Sequence, residues 1–326
     1  MNKEYIWQSN LGPYIKDFIA LKKSNGFSYE TEKYYLIQFD KLCMSNDEFN
    51  KEGISKELSD KWSIQSQTEG KTYRSKRVCA TRQLGLYLLS IGKEAYIPHF
   101  KGSLDKTITY IPTFKELQSL FKYIDKYIPG NNNRISLQLA IIYPIIFRLM
   151  FCCGLRLSET TKIKCDLIDL NKGTLTILKS KGLKERMIPI AQDVCELCKI
   201  YNKKISKLVP QRIYFFPGKD KDVAIANPTV QKKFHKFWLQ AFPYWNNKFP
   251  TCHSLRHLFV IHRIELWISE GENVENLMPY ISKYLGHKSI ENTYYYYHNL
   301  ESIAPILRKK DVLFVKMIPE VMKYEK

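Results

Sequence analysis

The feature that most limits how this chain can fold is its long apolar run from Ile135 to Leu155, broken by Gln138, Pro144 and Arg148. A helix that is apolar on every side must be covered on every side, either by lipid or by other elements of its own chain. A buried glutamine, proline and arginine fit the second case better, because intramembrane charge is costly. The expectation is therefore a buried helix and no membrane span. At 326 residues with 44% hydrophobic and 13% aromatic content, the chain can supply that cover and is long enough for two domains.

The charge is the second constraint. There are 51 Lys and Arg against 32 Asp and Glu, a formal net charge of +19, which exceeds what solubility alone favours and points to a polyanionic partner, nucleic acid before others. The N-terminal stretch MNKEYIWQSNLGPYIKDF has no apolar core or cleavage site of a secretory signal, so a cytoplasmic, nucleoid-associated protein is expected. The eight cysteines (43, 79, 152, 153, 165, 195, 198 and 252) follow no repeating framework and read as reduced thiols. Cys195 and Cys198 form a lone C-x-x-C without a second pair at zinc spacing, so no metal site is expected there.

The first hundred residues read as amphipathic helices: YIKDFIALKKSNG, ETEKYYLIQFDKLC and a longer stretch from Lys71 to about Gly92. In that last stretch KTYRSKRVCATR is basic, and Arg74, Arg77 and Arg82 are its candidate DNA contacts, while Leu84, Leu88 and Ile91 offer a packing face. Gly, Ser and charged residues without helical period between Pro98 and Pro112 suggest a connector, giving a helical domain over 1–104, a linker over 105–112 and a second domain over 113–326. Thr113 and Glu116 have capping-box spacing ahead of Leu117, Leu120, Phe121 and Ile124, so a helix opens the second domain. Residues 174–178 and 185–190 read as a β-hairpin, and NPTVQKKFHKFWLQAF from Asn227 as a basic helix whose Lys232, Lys233 and Lys236 would position phosphates.

Four short segments carry chemistry: GLRLSE (154–159), SKGLKER (180–186), HSLRH (253–257) and LGHKSIENTYYYYH (285–298). Each alone is a weak signal. Together, in this order and at these spacings, they resemble the active-site motifs of the tyrosine recombinase (phage integrase) family over about Thr113 to Leu300. The resemblance implies a mainly α, two-domain architecture, with a helical core-binding domain and an α+β catalytic domain holding a small β-sheet. It implies that Arg156 and Arg256 clamp a phosphate, that Lys181 is the hairpin lysine and that His253 and His287 fill the histidine positions. Tyr296 would be the nucleophile, and Glu159 an acidic support for the site. Ser180 stands where many members have glycine.

These residue types suit the implied reaction. A tyrosine hydroxyl has a reference pKa of ~10 and needs help to ionise. Two guanidiniums can donate to both non-bridging phosphate oxygens, a lysine can protonate the departing 5′ oxygen, and a histidine can hold the tyrosine proton. Arg, Lys and His supply the positive charge that a metal supplies in other phosphoryl-transfer sites, so no cofactor is expected. Four adjacent tyrosines, Tyr294 to Tyr297, differ in direction by about 100° per residue on a helix, so only one can face the phosphate. The spacing from His287 favours Tyr296, with Tyr297 next. His257 and Cys252, beside the second arginine, read as structural.

After the nucleophile, Ile303, Ile306, Leu307, Leu313, Phe314, Met317, Ile318 and Met322 fit an amphipathic helix, packed in cis or exchanged with a neighbouring subunit as in related recombinases. The resemblance implies double-stranded DNA clamped between the two domains, a homotetramer on two DNA sites and a Holliday junction, with room for accessory DNA-bending proteins. Integration or excision of a mobile element is the expected setting. A type IB topoisomerase, a catalytically silent DNA-binding protein of the same fold, and a basic RNA-binding protein are the rival readings.

Overall fold

The computed structural model of the chain describes residues 5–45, 51–99, 110–178, 185–287 and 289. The chain divides into two compact units, Met1–Thr107 and Ile108–Lys326.

Among the described residues the first unit holds four helices: α1 (Gly12–Ser24), α2 (Glu30–Met44), α3 (Lys56–Ser63) and α4 (Lys71–Ser90). Their apolar faces meet in a core that includes Ile15, Phe18, Leu36, Phe39, Leu58, Trp62, Val78, Leu84 and Leu88. A buried carboxylate pins the start of the unit onto α2: Asp40 accepts from the Tyr5 hydroxyl at 2.8 Å, the Gln8 and Ser9 amides at 3.0 and 3.1 Å, and the Ser9 hydroxyl.

The basic run of α4 is not one surface. Arg77 points inward: its guanidinium donates to both Glu69 oxygens at 2.7 and 2.9 Å and to the carbonyls of Trp62 and Ile64, and lies over the Trp62 ring. With side chains 9% and 6% exposed, Arg77 and Glu69 form a structural pair, which corrects the expectation that Arg77 contacts DNA. Arg74 is half-buried and donates from Nε to the Ser63 carbonyl at 2.7 Å, whereas Arg82 is exposed.

The second unit is built around the apolar run. Thr113 and Glu116 form the capping box that opens α5 (Phe114–Asp125), and Asn133 caps α6 (Arg134–Cys152). By length and composition α6 could cross a membrane, but it packs against α5 and against α8 and α10 introduced below. Two of its polar interruptions, Gln138 and Arg148, find hydrogen-bond partners inside the protein. Gln138 donates to the carbonyls of Pro217 and Gly218, and Arg148 forms a two-pronged pair with Asp125 at 2.7 and 2.6 Å while lying over the Phe121 ring. In hydrocarbon those groups would lack their partners.

After α6 come the short α7 (Leu157–Thr160) and three antiparallel strands in the order β1 (Ile168–Asp169), β2 (Thr174–Ile177), β3 (Arg186–Pro189). The register of β2 with β3 runs from Thr174↔Pro189 to Ile177↔Arg186, the hairpin expected from the sequence. Helices α8 (Gln192–Leu208), α9 (Asn227–Ala241), α10 (Cys252–Ser269) and α11 (Val274–Leu285) complete the described part. On α9, Lys232 and Lys236 are exposed. Lys233 is half-buried and places its ammonium 3.8 Å from the Tyr127 ring centroid and 4.6 Å from that of Phe237. Its charge is taken up by aromatic faces.

Removing one partner of a buried ion pair leaves the other uncompensated. Arg77→Ala is therefore expected to lower stability by about 3 kcal/mol in urea unfolding of the full chain. A change below about 0.5 kcal/mol, the range of ordinary surface substitutions, would return Arg77 to the surface.

Candidate active site

Two helix ends make the floor of the site. At the end of α6, Gly154 adopts φ 59°, with the Gly154 amide donating to the Phe151 carbonyl and the Leu155 amide to the Met150 carbonyl. At the end of α11, Gly286 adopts φ 64°, with the Gly286 amide donating to Lys283 and the His287 amide to Ser282. Both are Schellman turns, in which a left-handed glycine closes the helix. The motifs GLR and LGH are thus the same device used twice. Both glycines are also crowded: a Cβ at Gly154 would lie 2.5 Å from the Phe259 ring, and one at Gly286 would lie 2.9 Å from an Arg186 nitrogen.

A helix C-terminus carries partial negative charge on carbonyls that lack an intrahelical donor. Here guanidiniums meet them. Arg256 is fully buried and donates to the Gly154 carbonyl on one helix end and the Leu285 carbonyl on the other, both at 2.8 Å. Arg156 donates to the same Leu285 carbonyl at 3.4 Å and to Gly286 at 3.2 Å, with its side chain 28% exposed. Two arginines that lie one hundred residues apart in sequence therefore share one carbonyl.

Glu159 holds them from below. One turn of α7 brings its carboxylate back to the Arg156 amide at 2.9 Å and the Arg156 guanidinium at 2.8 Å. It also accepts from Arg186 at 2.9 Å and lies 3.7 Å from Arg256. Burial works against its charge, but hydrogen bonds from Arg186 and the Arg156 amide, with the nearby guanidiniums, hold its carboxyl below the usual range.

His253 and Arg256 stand three residues apart on α10 and so share a face. His253 is exposed, yet the packing around its ring, then the charges of Arg256 and Arg156, push its pKa down to about 4. His287 is half-buried and lowered to about 4, by desolvation first and by Arg256 and Arg156 next. His257 packs edge-on against His253, with ring centroids 4.4 Å apart, and burial lowers it to about 3. Cys252 is buried, and burial pushes its thiol up to about 12.

The structure thus brings together Arg156, Glu159, His253, Arg256 and His287. Lys181 and Tyr296, with the neighbouring tyrosines and the C-terminal segment, lie outside the described residues. Sequence reasoning gave no role to Arg186, although it ends the quoted hairpin segment. Its only sequence signal is an arginine at the first position of a strand, and its partners come from elements 27 and 98 residues away.

The sequence profile of the phage integrase family matches residues 112–302, more than half of the chain. The chain belongs to the phage integrase family. Among curated relatives of this integrase is the tyrosine recombinase XerA of Pyrococcus furiosus, 24% identical over 86% of this chain and 88% of the relative. Among solved structures, a lambda integrase dimer bound to a COC' core site aligns with a TM-score of 0.61 at 15% identity, over 87% of this chain and 94% of that one. The Tn1549 transposon integrase in complex with transposon right end DNA aligns with a TM-score of 0.60 at 15% identity, covering 91% and 99%. The fold and family of this integrase are those of tyrosine-type site-specific recombinases.

The lowered histidines make a pH prediction. Between the ordinary value of 6.5 and about 4, the unfolded chain binds protons that His253 and His287 in the folded chain refuse, so stability is full above about pH 6.5 and falls as pH drops towards 4. In histidine-resolved NMR of the DNA-free protein both should titrate near 4, and the urea midpoint should fall between pH 7 and 5. Titration near 6.5 with a flat midpoint would contradict the packed arrangement.

Proposed function

We propose that this integrase cuts and rejoins duplex DNA at specific sites through a covalent 3′-phosphotyrosyl link to Tyr296, without a metal ion or a nucleoside triphosphate. The observation that carries the reading is the meeting of Arg156 and Arg256 on one carbonyl, Leu285, in a chain that has Tyr296 nine residues beyond His287.

The two guanidiniums donate to the non-bridging oxygens of the scissile phosphate and stabilise the charge that grows on them in the five-coordinate transition state. The Tyr296 oxygen attacks phosphorus, its proton passing to a neutral histidine, and the bond from phosphorus to the 5′ oxygen breaks. Lys181 gives that oxygen a proton. A histidine lowered to about 4 is neutral at physiological pH and so begins the reaction able to accept. The phosphotyrosyl ester keeps the bond energy, so a 5′ hydroxyl of another strand can attack it, form the new phosphodiester and release tyrosine.

We place four protomers on two DNA sites, exchanging strands in pairs through a Holliday junction, in the service of a mobile element. What supports this is the complete set of family motifs, together with a fold shared with lambda integrase and the Tn1549 transposon integrase. Arg82, Lys232 and Lys236 remain as exposed candidates for phosphate contacts, and Arg74 as a half-buried one.

A nicked suicide substrate made from DNA flanking the source gene tests the chemistry. The wild type in chelator should form a covalent adduct that maps to Tyr296 by peptide mass and is absent from Tyr296→Phe. An adduct at Tyr297 would overturn the assignment of the nucleophile. Tight binding without an adduct on verified target DNA would overturn the proposal in favour of a silent DNA-binding protein.

A further inference from the structure

Arg186 is the one arginine of the cluster that belongs to the sheet. It opens β3, opposite Ile177 at the end of β2, and so stands at the base of the connection in which the sequence places Lys181. From there its Nε donates to the Tyr284 carbonyl in the last turn of α11 at 2.8 Å, and Nη2 donates to Glu159 at 2.9 Å. The side chain is 11% exposed and fills the space that a Cβ on Gly286 would need. The Tyr284 ring in turn stacks on Phe259 and donates from its hydroxyl to the Cys153 carbonyl at the end of α6.

One planar guanidinium therefore spans three elements: the sheet, the Schellman turn that precedes His287, and the carboxylate beneath Arg156 and Arg256. A lysine at the same place has a single point of attachment and cannot present two donors in a fixed fork. We infer that Arg186 is a positioning residue for strand cleavage, fixing Glu159 and the α11 turn so that Arg156, Arg256 and His287 are held in register with the hairpin strand. The inference rests on the recombinase reading for its consequence in catalysis, and on geometry for its effect on the site.

The residue acts through others, so its loss should spare DNA binding and slow the chemical step. A displacement of about 1 Å at a reacting centre costs on the order of a hundredfold in rate. Without Arg186, Glu159 keeps its burial and loses the hydrogen bond from that guanidinium, so it takes up a proton at higher pH than before. A neutral Glu159 holds Arg156 less firmly, so the defect should deepen as the medium becomes more acid.

The test compares wild type, Arg186→Met and Arg186→Lys as full chains on the nicked suicide substrate, with rates corrected for the folded fraction. Arg186→Met should bind DNA within about threefold of wild type and form adduct at least about tenfold more slowly. The ratio of wild-type to variant rates should grow as pH falls from about 8 to about 5.5, and Arg186→Lys should recover part of the rate. A ratio independent of pH that merely follows the folded fraction would overturn the inference, as would wild-type rates in Arg186→Met. The NMR signal of His287 in the DNA-free proteins decides the geometry without any catalysis. It should shift in Arg186→Met and return towards wild type in Arg186→Lys, and an unmoved signal would overturn the inference. Absence of adduct with wild type would count against the recombinase reading alone, leaving the His287 signal to decide on Arg186.

Discussion

Glu159 sits with its side chain 2% exposed beneath three guanidiniums, and most of the site depends on that arrangement. A lone carboxylate so deeply buried would shed its charge, and three arginines so close together would repel. Placed together, they compensate each other: Arg156 and Arg186 donate directly to Glu159, and Arg256 lies 3.7 Å away. Three guanidiniums against one carboxylate leave the cluster with net positive charge, which suits an anionic ligand. Breaking a buried charge network by removing one member commonly costs about 3–5 kcal/mol, and here the loss would fall on the geometry of Arg156 and Arg256 at once.

The second constraint is the pairing of helix ends. Carbonyls at the C-termini of α6 and α11 have no intrahelical donors, and the guanidiniums of Arg256 and Arg156 meet them. A helix C-terminus favours a cation, and a Schellman glycine turns the chain sharply enough to expose the carbonyls next to it. The α6 end also leads straight into Arg156, and the α11 end straight into His287. The central apolar helix and the arginine cluster are thus one construction: covering α6 with α8 and α10 is what brings Arg256 against the Gly154 carbonyl.

The sequence was most legible where a local rule determines the outcome. Thr113 with Glu116, the alternating strands around 174–190 and the proline near the start of α9 each specify an element within a few residues. The four chemical segments were legible as types and order, and the glycines beside them find their reason in the two turns. What the sequence hid was direction and distant partnership. Arg77 and Arg82 looked alike in one basic run, but five residues on a helix send them to different faces, and the partner that draws Arg77 inward, Glu69, precedes the helix. Lys233 among three lysines met Tyr127 and Phe237, which no periodicity predicts. Arg186 reaches Tyr284 across 98 residues, a contact that exists only once the sheet and α11 are folded.

The most direct measurement of the central claim is a crystal structure of the full chain on its target DNA with vanadate at the scissile position. The account predicts that Arg156 and Arg256 donate to the equatorial vanadate oxygens while still held by the Leu285 and Gly286 carbonyls, with Glu159 beneath them and the Tyr296 oxygen in line with the 5′ oxygen. Vanadate bound away from the ends of α6 and α11, or the two guanidiniums turned from it towards solvent, would contradict it.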